Sequence, residues 1–197
     1  EGVRPRLIHR LDKDTSGILL LARSSKVARA MGKIFQGRDI RKIYWALCVP
    51  APEMNEGEIR APIMKAGGIG NEKMVVDEEG QSATTLFDIV ERAHKQIAFV
   101  AFWPRTGRTH QIRVHAAHMG CPIVGDGKYG GQEAFLDGMQ HARRVHLHAY
   151  SIKFQHPTTN KLIELSAPLA DDLKKSWKSF GFDTYSEYVP FQDIKKL

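Results

Sequence analysis

Two runs of strand-forming residues, Ala83–Arg92 and Gln96–Trp103, are separated only by the short turn Ala93–Lys95. A connection this short can join only antiparallel neighbours, because parallel strands need a crossover of about a dozen residues or more. Val145–Phe154 and Lys161–Ser166 repeat the arrangement around HPTTN. Lys42–Val49 (KIYWALCV), ended by Pro50 and Pro52, and Gly57–Ile63 read as further strands, and Gly17–Ala22 as a strand with a continuous apolar run. The Gly-rich stretch KAGGIGNEKMVVDEEGQSA reads as a loop or a loose hairpin. Three segments carry helical spacing: one capped by Ser24 or Ser25 and stopped by Gly37, one over Thr109–Met119 capped by Thr109 and stopped by Gly120, and one starting at Pro168 and ended by Gly181. Strands outnumber helices and several pair as hairpins. The expected class is α+β, with a largely antiparallel mixed sheet and flanking helices. Residues 182–197 show no period and are expected to lie loosely on the surface as a tail.

At 197 residues the chain fits one domain, and its hydrophobic fraction of 42% supplies a real core. No apolar run approaches the roughly 20 residues of a membrane span, and EGVRPRL at the start has no apolar core of a signal peptide. Two cysteines, Cys48 and Cys121, make no disulfide framework and suit a reducing compartment. The formal net charge is +7, and the bases cluster in RSSKVAR, GRDIRK, RTGRTHQIR and HARR. A basic domain of this kind suits a polyanion, while a basic protein with no nucleic-acid role is the blander alternative.

Two stretches concentrate chemistry. HRLDKDTSG (His9–Gly17) sets two carboxylates in a turn directly before the apolar run ILLLA. It is either a solvated turn, since Asp, Ser, Thr and Gly all favour turns, or a device that holds Asp12 or Asp14 at the edge of a cleft. RTGRTHQIRVHAAHMGCPIVGDGKYGG (Arg105–Gly131) brings Arg105, Arg108 and Arg113 together. If it is helical from Thr109, then His110, Arg113 and Val114 share a face, and Arg108 and Thr109 stand at a helix start that favours anions. An amphipathic helix with a solvated basic face fits the same residues.

In this order, HRLD followed by TSG, KIYWAL, GRTHQIRVH with GDGKYG, and LHA followed by FQHP resemble the RluA-type pseudouridine synthases, from about Pro5 to Pro168. The resemblance implies that fold and an isomerisation of uridine within RNA, in which the C1′–N1 bond breaks and a C1′–C5 bond forms. It implies Asp12 as nucleophile, attacking either C1′ or C6, with Arg113 as its guanidinium partner. Tyr44 would stack on the target base, Arg10 would fill the place of the flipped nucleotide, and Leu147 would line the pocket wall. Arg108, Thr109, His110 and Gln111 would contact RNA. Asp14 is expected to be a turn residue, and His9 to shape the loop by hydrogen bonding. Strand alternation lets only one of Tyr44 and Trp45 face the cleft.

The forms HRLDKDTSG and GRTHQIR look most like the branch acting on large-subunit ribosomal RNA, with transfer or organellar RNA as alternatives. The product is an isomer of the substrate, so no cofactor is expected, and neither a Walker-type phosphate loop nor a dinucleotide fingerprint is present. The expected partner is RNA, the expected state a monomer, and the expected location the cytoplasm or, in a eukaryote, the mitochondrial matrix. In the family about two strands, a Lys-Pro turn and often a small S4-type domain precede HRLD. Residues 1–181 are therefore expected to be a catalytic domain without its first strands.

Three rivals fit less well. A zinc site could draw on His110, His115, His118, Cys121, His141, His146 and His148, but on a helix His110 lies well off the face shared by His115 and His118. A Ser–His–Asp hydrolase lacks the G-x-S-x-G elbow. An inert RNA-binding relative would be expected to have lost Asp12, Tyr44 or Arg113, and all are present.

Overall fold

Ala83–Arg92 and Gln96–Trp103 form the expected hairpin, and it lies inside the main sheet. The computed structural model describes residues 4–37, 40–68, 72–136, 144–184 and 188–192. In chain order these form β1 (Arg6–Leu7), β2 (Ser16–Gly17), β3 (Leu21–Ala22), α1 (Ser25–Gln36), β4 (Ile40–Cys48), β5 (Glu56–Arg60), β6 (Ile63–Ala66), β7 (Lys73–Val76), β8 (Thr84–Ala93), β9 (Ile97–Pro104), α2 (Gln111–His118), α3 (Gly127–Gly130) with a 3₁₀ turn over Gly131–Ala134, β10 (Leu147–Gln155), β11 (Leu162–Ser166) and α4 (Asp171–Ser179). The main sheet runs β11-β10-β4-β9-β8-β5, all antiparallel. β10 gives one edge to β4. Along its other edge β2 pairs in parallel with His148 and Ala149, and β11 pairs with Ser151–Gln155.

The central strands β4 and β9 are apolar on both faces because helices cover both. Ala46, Cys48, Ala98, Val100 and Phe102 point to one face, where Ile112 and Ala116 of α2 close the core. Ile43, Trp45, Leu47, Ile97, Phe99 and Ala101 point to the other, where Leu173 and Trp177 of α4 cover them. The period of two therefore separates Tyr44 from Trp45, and Tyr44 takes the α2 face. Met31 of α1 packs with Ile40, Ile152 and Phe154 at one end of the sheet. Among the described residues no helix is long and apolar enough to cross a membrane.

Four expectations change. The run Gly17–Ala22 is not one strand. Gly17 sits at φ +112° with the carbonyl oxygen of Ala149 2.2 Å from where a Cβ would be, so the chain docks on β10 and then turns away. Leu21–Ala22 pairs instead with β1. The second helix begins at Gln111, because His110 adopts the left-handed conformation (φ 54°, ψ 21°) and Thr109 provides no cap. The last helix begins at Asp171, because Ala170 before it is non-helical (φ −59°, ψ 146°), and Leu169 is buried in the core. The tail is not loose where it is described. Phe182 and Phe191 are buried in the α4-side core, while the Tyr188 hydroxyl and the Phe191 N–H donate to the buried Asp88 carboxylate at 2.7 and 3.0 Å. A buried carboxylate needs donors, and the tail brings them. The Gly-rich stretch resolves to the hairpin β6-β7.

Candidate active site

The HRLDKDTSG stretch is a clamped loop. At its start, His9 stacks on Phe35 (centroids 4.6 Å apart) and its Nε2 accepts the Leu20 N–H at 2.9 Å. Burial, with the nearby Lys42 charge, lowers the His9 pKa, so the ring is neutral and can accept. In the middle, the Thr15 N–H returns to the Asp12 carbonyl at 3.0 Å, Asp14 takes φ 67°, and Arg144 holds the Asp14 carbonyl at 3.0 Å. At its end, Ser16 bonds His148 Nδ1 at 2.9 Å, and His148 Nε2–H donates to the Ala167 carbonyl. Asp14 is thus a turn residue and His9 a shaping residue, as expected.

This clamp sets Asp12 on the wall of a cleft of about 360 Å³, with its side chain 24% exposed. Tyr44 and Leu147 line the same cleft from the adjoining strands β4 and β10, and Arg10 stands exposed at its lip. Burial, and secondarily the Asp12 charge, push the Tyr44 phenol up to about 12, so it stays neutral near neutral pH. Lys42 lies on the cleft side, and burial lowers its pKa. It is two residues before Tyr44 on the same strand, so the alternation that selects Tyr44 would have found Lys42 as well.

The opposite wall is the loop Pro104–Thr109, braced from below by Gln111. The Gln111 amide donates to the Thr84 carbonyl and to Thr85 Oγ1, and its carbonyl accepts from the Thr106 hydroxyl and the Arg108 N–H. It is 4% exposed, and these four bonds make it a brace for the loop. Arg108 is exposed and donates from Nε to the Ser82 carbonyl; Thr109 is exposed beside it. Beyond this wall a second cleft of about 440 Å³ continues past Lys42, Arg105 and Arg108.

The structure corrects the pairing of Arg113. Its guanidinium makes two 2.7 Å bonds to Asp126, whose side chain is fully buried, rather than to Asp12. Burial opposes the guanidinium charge. The Asp126 bonds outweigh it and raise the Arg113 pKa, with smaller contributions from Tyr129 and Asp12. Asp12 is thus near enough to Arg113 to feel its charge but is not its two-point partner. Between two glycines in GDGKYG, Asp126 looks like a turn residue, and only the fold brings it to Arg113. The group next to Asp12 is His110, whose Nε2 lies 3.9 Å from the carboxylate.

Three of the histidines weighed as metal ligands, His115, His146 and His148, are held in hydrogen bonds on both ring nitrogens. His115 donates from Nε2 to the Ala61 carbonyl and bonds Thr85 at Nδ1, while His146 bonds the Val124 and Arg144 carbonyls and Ser176. Among the described residues no three His, Cys, Asp or Glu side chains converge as metal ligands, and His141 lies outside the described residues.

Comparison with known proteins agrees with this geometry. The RNA pseudouridylate synthase family matches residues 1–118. An uncharacterized RNA pseudouridine synthase of Zymomonas mobilis is 40% identical over 180 residues, covering 90% of this chain and 77% of that protein. Ribosomal large subunit pseudouridine synthase C of Pasteurella multocida is 39% identical over 172 residues, covering 86% of this chain and 52% of that protein, so the chain spans about half of that relative's length. The solved structure of human RNA pseudouridylate synthase domain containing 4 superposes with a TM-score of 0.74 at 28% identity, covering 89% of this chain and 76% of that one. Matched over more than half its length and sharing the pseudouridine synthase fold, the chain belongs to the RNA pseudouridylate synthase family.

Proposed function

We propose that this chain is an RNA pseudouridine synthase that isomerises uridine in large-subunit ribosomal RNA, with Asp12 as the nucleophile. One observation carries the reading: a carboxylate without a two-point cation partner stands on the wall of a uridine-sized cleft beside an aromatic ring. An ionised carboxylate can attack carbon. The Tyr44 ring offers a stacking face, worth about 1–3 kcal/mol for a base. The substrate class follows from relatives whose names specify the ribosomal large subunit.

The reaction balances within the substrate. Asp12 attacks C1′ or C6, the C1′–N1 bond breaks, and the uracil turns about in the cleft. C5 bonds to C1′, the bond from Asp12 to C1′ or C6 breaks and restores the carboxylate, the C5 proton leaves, and N1 gains a proton. No oxidant, reductant or external energy source enters, so the reaction calls for no redox cofactor. A uridine in folded RNA must leave its stack first, at a cost of a few kcal/mol, and Arg10 at the lip is suited to fill the gap. Lys42, Arg105 and Arg108 along the continuing cleft suit the backbone phosphates on one side of the target. A reducing, ribosome-bearing compartment, the cytoplasm or the mitochondrial matrix, fits such a substrate.

The test is to incubate large-subunit ribosomal RNA and transfer RNA transcripts with the protein and with its Asp12→Asn variant, and then to map pseudouridine chemically. The reading predicts new pseudouridine in the ribosomal transcript with wild type only. Binding without isomerisation by the wild-type protein would make it an inert RNA-binding relative.

A further inference from the structure

Behind Asp12, away from the cleft, lies a polar chain that the proposed reaction does not yet use. It runs from the β6-β7 hairpin through α3 to the start of α2. The Met74 N–H points to the Tyr129 hydroxyl oxygen at 3.4 Å, and that hydroxyl lies 2.6 Å from His110 Nδ1. Among the described residues, the hydroxyl's partners are the Met74 N–H, which can only donate to it, and Nδ1, which can accept its proton. We therefore assign the hydroxyl as donor to Nδ1, and the neutral imidazole then carries its proton on Nε2. That nitrogen faces Asp12 Oδ1 at 3.9 Å. The distance exceeds a hydrogen bond, and catalytic contacts of this kind tighten when substrate binds.

The surroundings hold this arrangement in place. The Arg113 guanidinium lies 4.9 Å from the Tyr129 ring centroid, and the Lys73 and Lys128 ammonium groups lie 5.3 and 6.0 Å from it. The Tyr129 N–H reaches Asp126 Oδ1, tying the ring to the buried ion pair. The charged groups that act on His110 are Asp12 from the clamped loop, Arg113 from α2, and Asp126 and Lys128 from around α3. Burial, Arg113 and Lys128 together outweigh the two carboxylates and keep the ring neutral. His110 also occupies the left-handed region, a conformation that costs a non-glycine residue about 1–3 kcal/mol and that collects at functional sites.

We propose that Tyr129 and His110 are positioning residues for Asp12: the Tyr129 hydroxyl fixes the imidazole so that Nε2–H is directed at the carboxylate and sets its aim into the cleft. The inference rests on Asp12 being the nucleophile. It moves His110 from an RNA contact to a support behind the acid, and it gives a role to the tyrosine of GDGKYG. Misdirection of a reacting group by about 1 Å can cost on the order of 100-fold in rate.

The test reads tautomer and rate separately. Imidazole ¹⁵N NMR of the wild-type protein at neutral pH is expected to show His110 as the Nε2–H tautomer. Tyr129→Phe keeps the ring among its cations and removes only the hydroxyl. It should release the tautomer preference and lower the single-turnover rate of C5-hydrogen release from ribosomal RNA about 10- to 100-fold, with RNA affinity within about twofold of wild type. A wild-type His110 protonated on Nδ1, or a Tyr129→Phe rate within about twofold of wild type beside an inactive Asp12→Asn control, would overturn the inference and leave the nucleophile assignment standing. An Asp12→Asn variant as active as wild type would overturn both.

Discussion

Asp12 and Asp126 are two carboxylates near the same guanidinium, and the fold treats them oppositely. Asp126 is fully buried and holds Arg113 through two short bonds. Asp12 is part-exposed on the cleft wall, where it feels Arg113 at a distance and faces His110 Nε2 at 3.9 Å. A carboxylate locked in a two-point ion pair has both oxygens engaged and is a poor nucleophile. One left incompletely partnered at the mouth of a cleft keeps an oxygen free to attack. The buried pair fixes α2 against α3, and so fixes the wall that Asp12 faces. It builds the site in which, under the proposed function, Asp12 reacts.

This division can be broken by substitution. Asp126→Asn leaves Arg113 buried without its counter-charge and should cost about 3–5 kcal/mol of stability in denaturant unfolding. A cost below about 1 kcal/mol would remove Asp126 from its structural role. Gly17→Ala tests the clamp on the other side of the contrast. A Cβ there meets the Ala149 backbone at 2.2 Å in a backbone conformation at φ +112°, so a loss of roughly 2–4 kcal/mol is expected together with weakened activity.

Acid should sharpen the comparison further. His115, His146 and His148 all have pKa values lowered from 6.5, chiefly by burial. Each uses one ring nitrogen as donor and one as acceptor, so the folded state holds them neutral. Below about pH 6.5 the unfolded chain binds protons that the folded chain does not, so stability falls as pH drops, by up to about 1.4 kcal/mol per pH unit per histidine until the folded value is reached. His148 holds Ser16, so the Asp12 loop should loosen with acid before the Arg113–Asp126 pair does. Hydrogen exchange on the two segments between pH 7.5 and 5.5 reads that order. The smallest effect belongs to the cleft rim. Arg108→Ala should weaken RNA binding modestly and reduce the slope of log affinity against log salt by about one.

Much of this was legible before any coordinates. The hairpins showed in their short turns, the first helix in Ser24 and Gly37, and the cleft face of β4 in its alternation. What stayed hidden depends on contacts between distant segments. Asp126 looks like a turn residue between its glycines until α2 is placed beside it. The break in the run after Gly17 comes from its parallel docking on β10, more than 130 residues away along the chain. The second helix starts at Gln111 and not at Thr109 because His110 takes the left-handed conformation, and its ring meets Tyr129, a residue 19 positions further along the chain. Phe182 and Phe191 are single aromatics without a period, and no local rule assigns them to the core.

The central claim is tested most directly by comparing Asp12→Asn with Asp126→Asn for both unfolding free energy and single-turnover C5-hydrogen release from ribosomal RNA. The account predicts that Asp12→Asn unfolds within about 0.5 kcal/mol of wild type while its rate falls roughly 1000-fold or more. The stability loss should fall on Asp126→Asn. Wild-type turnover by Asp12→Asn would contradict it.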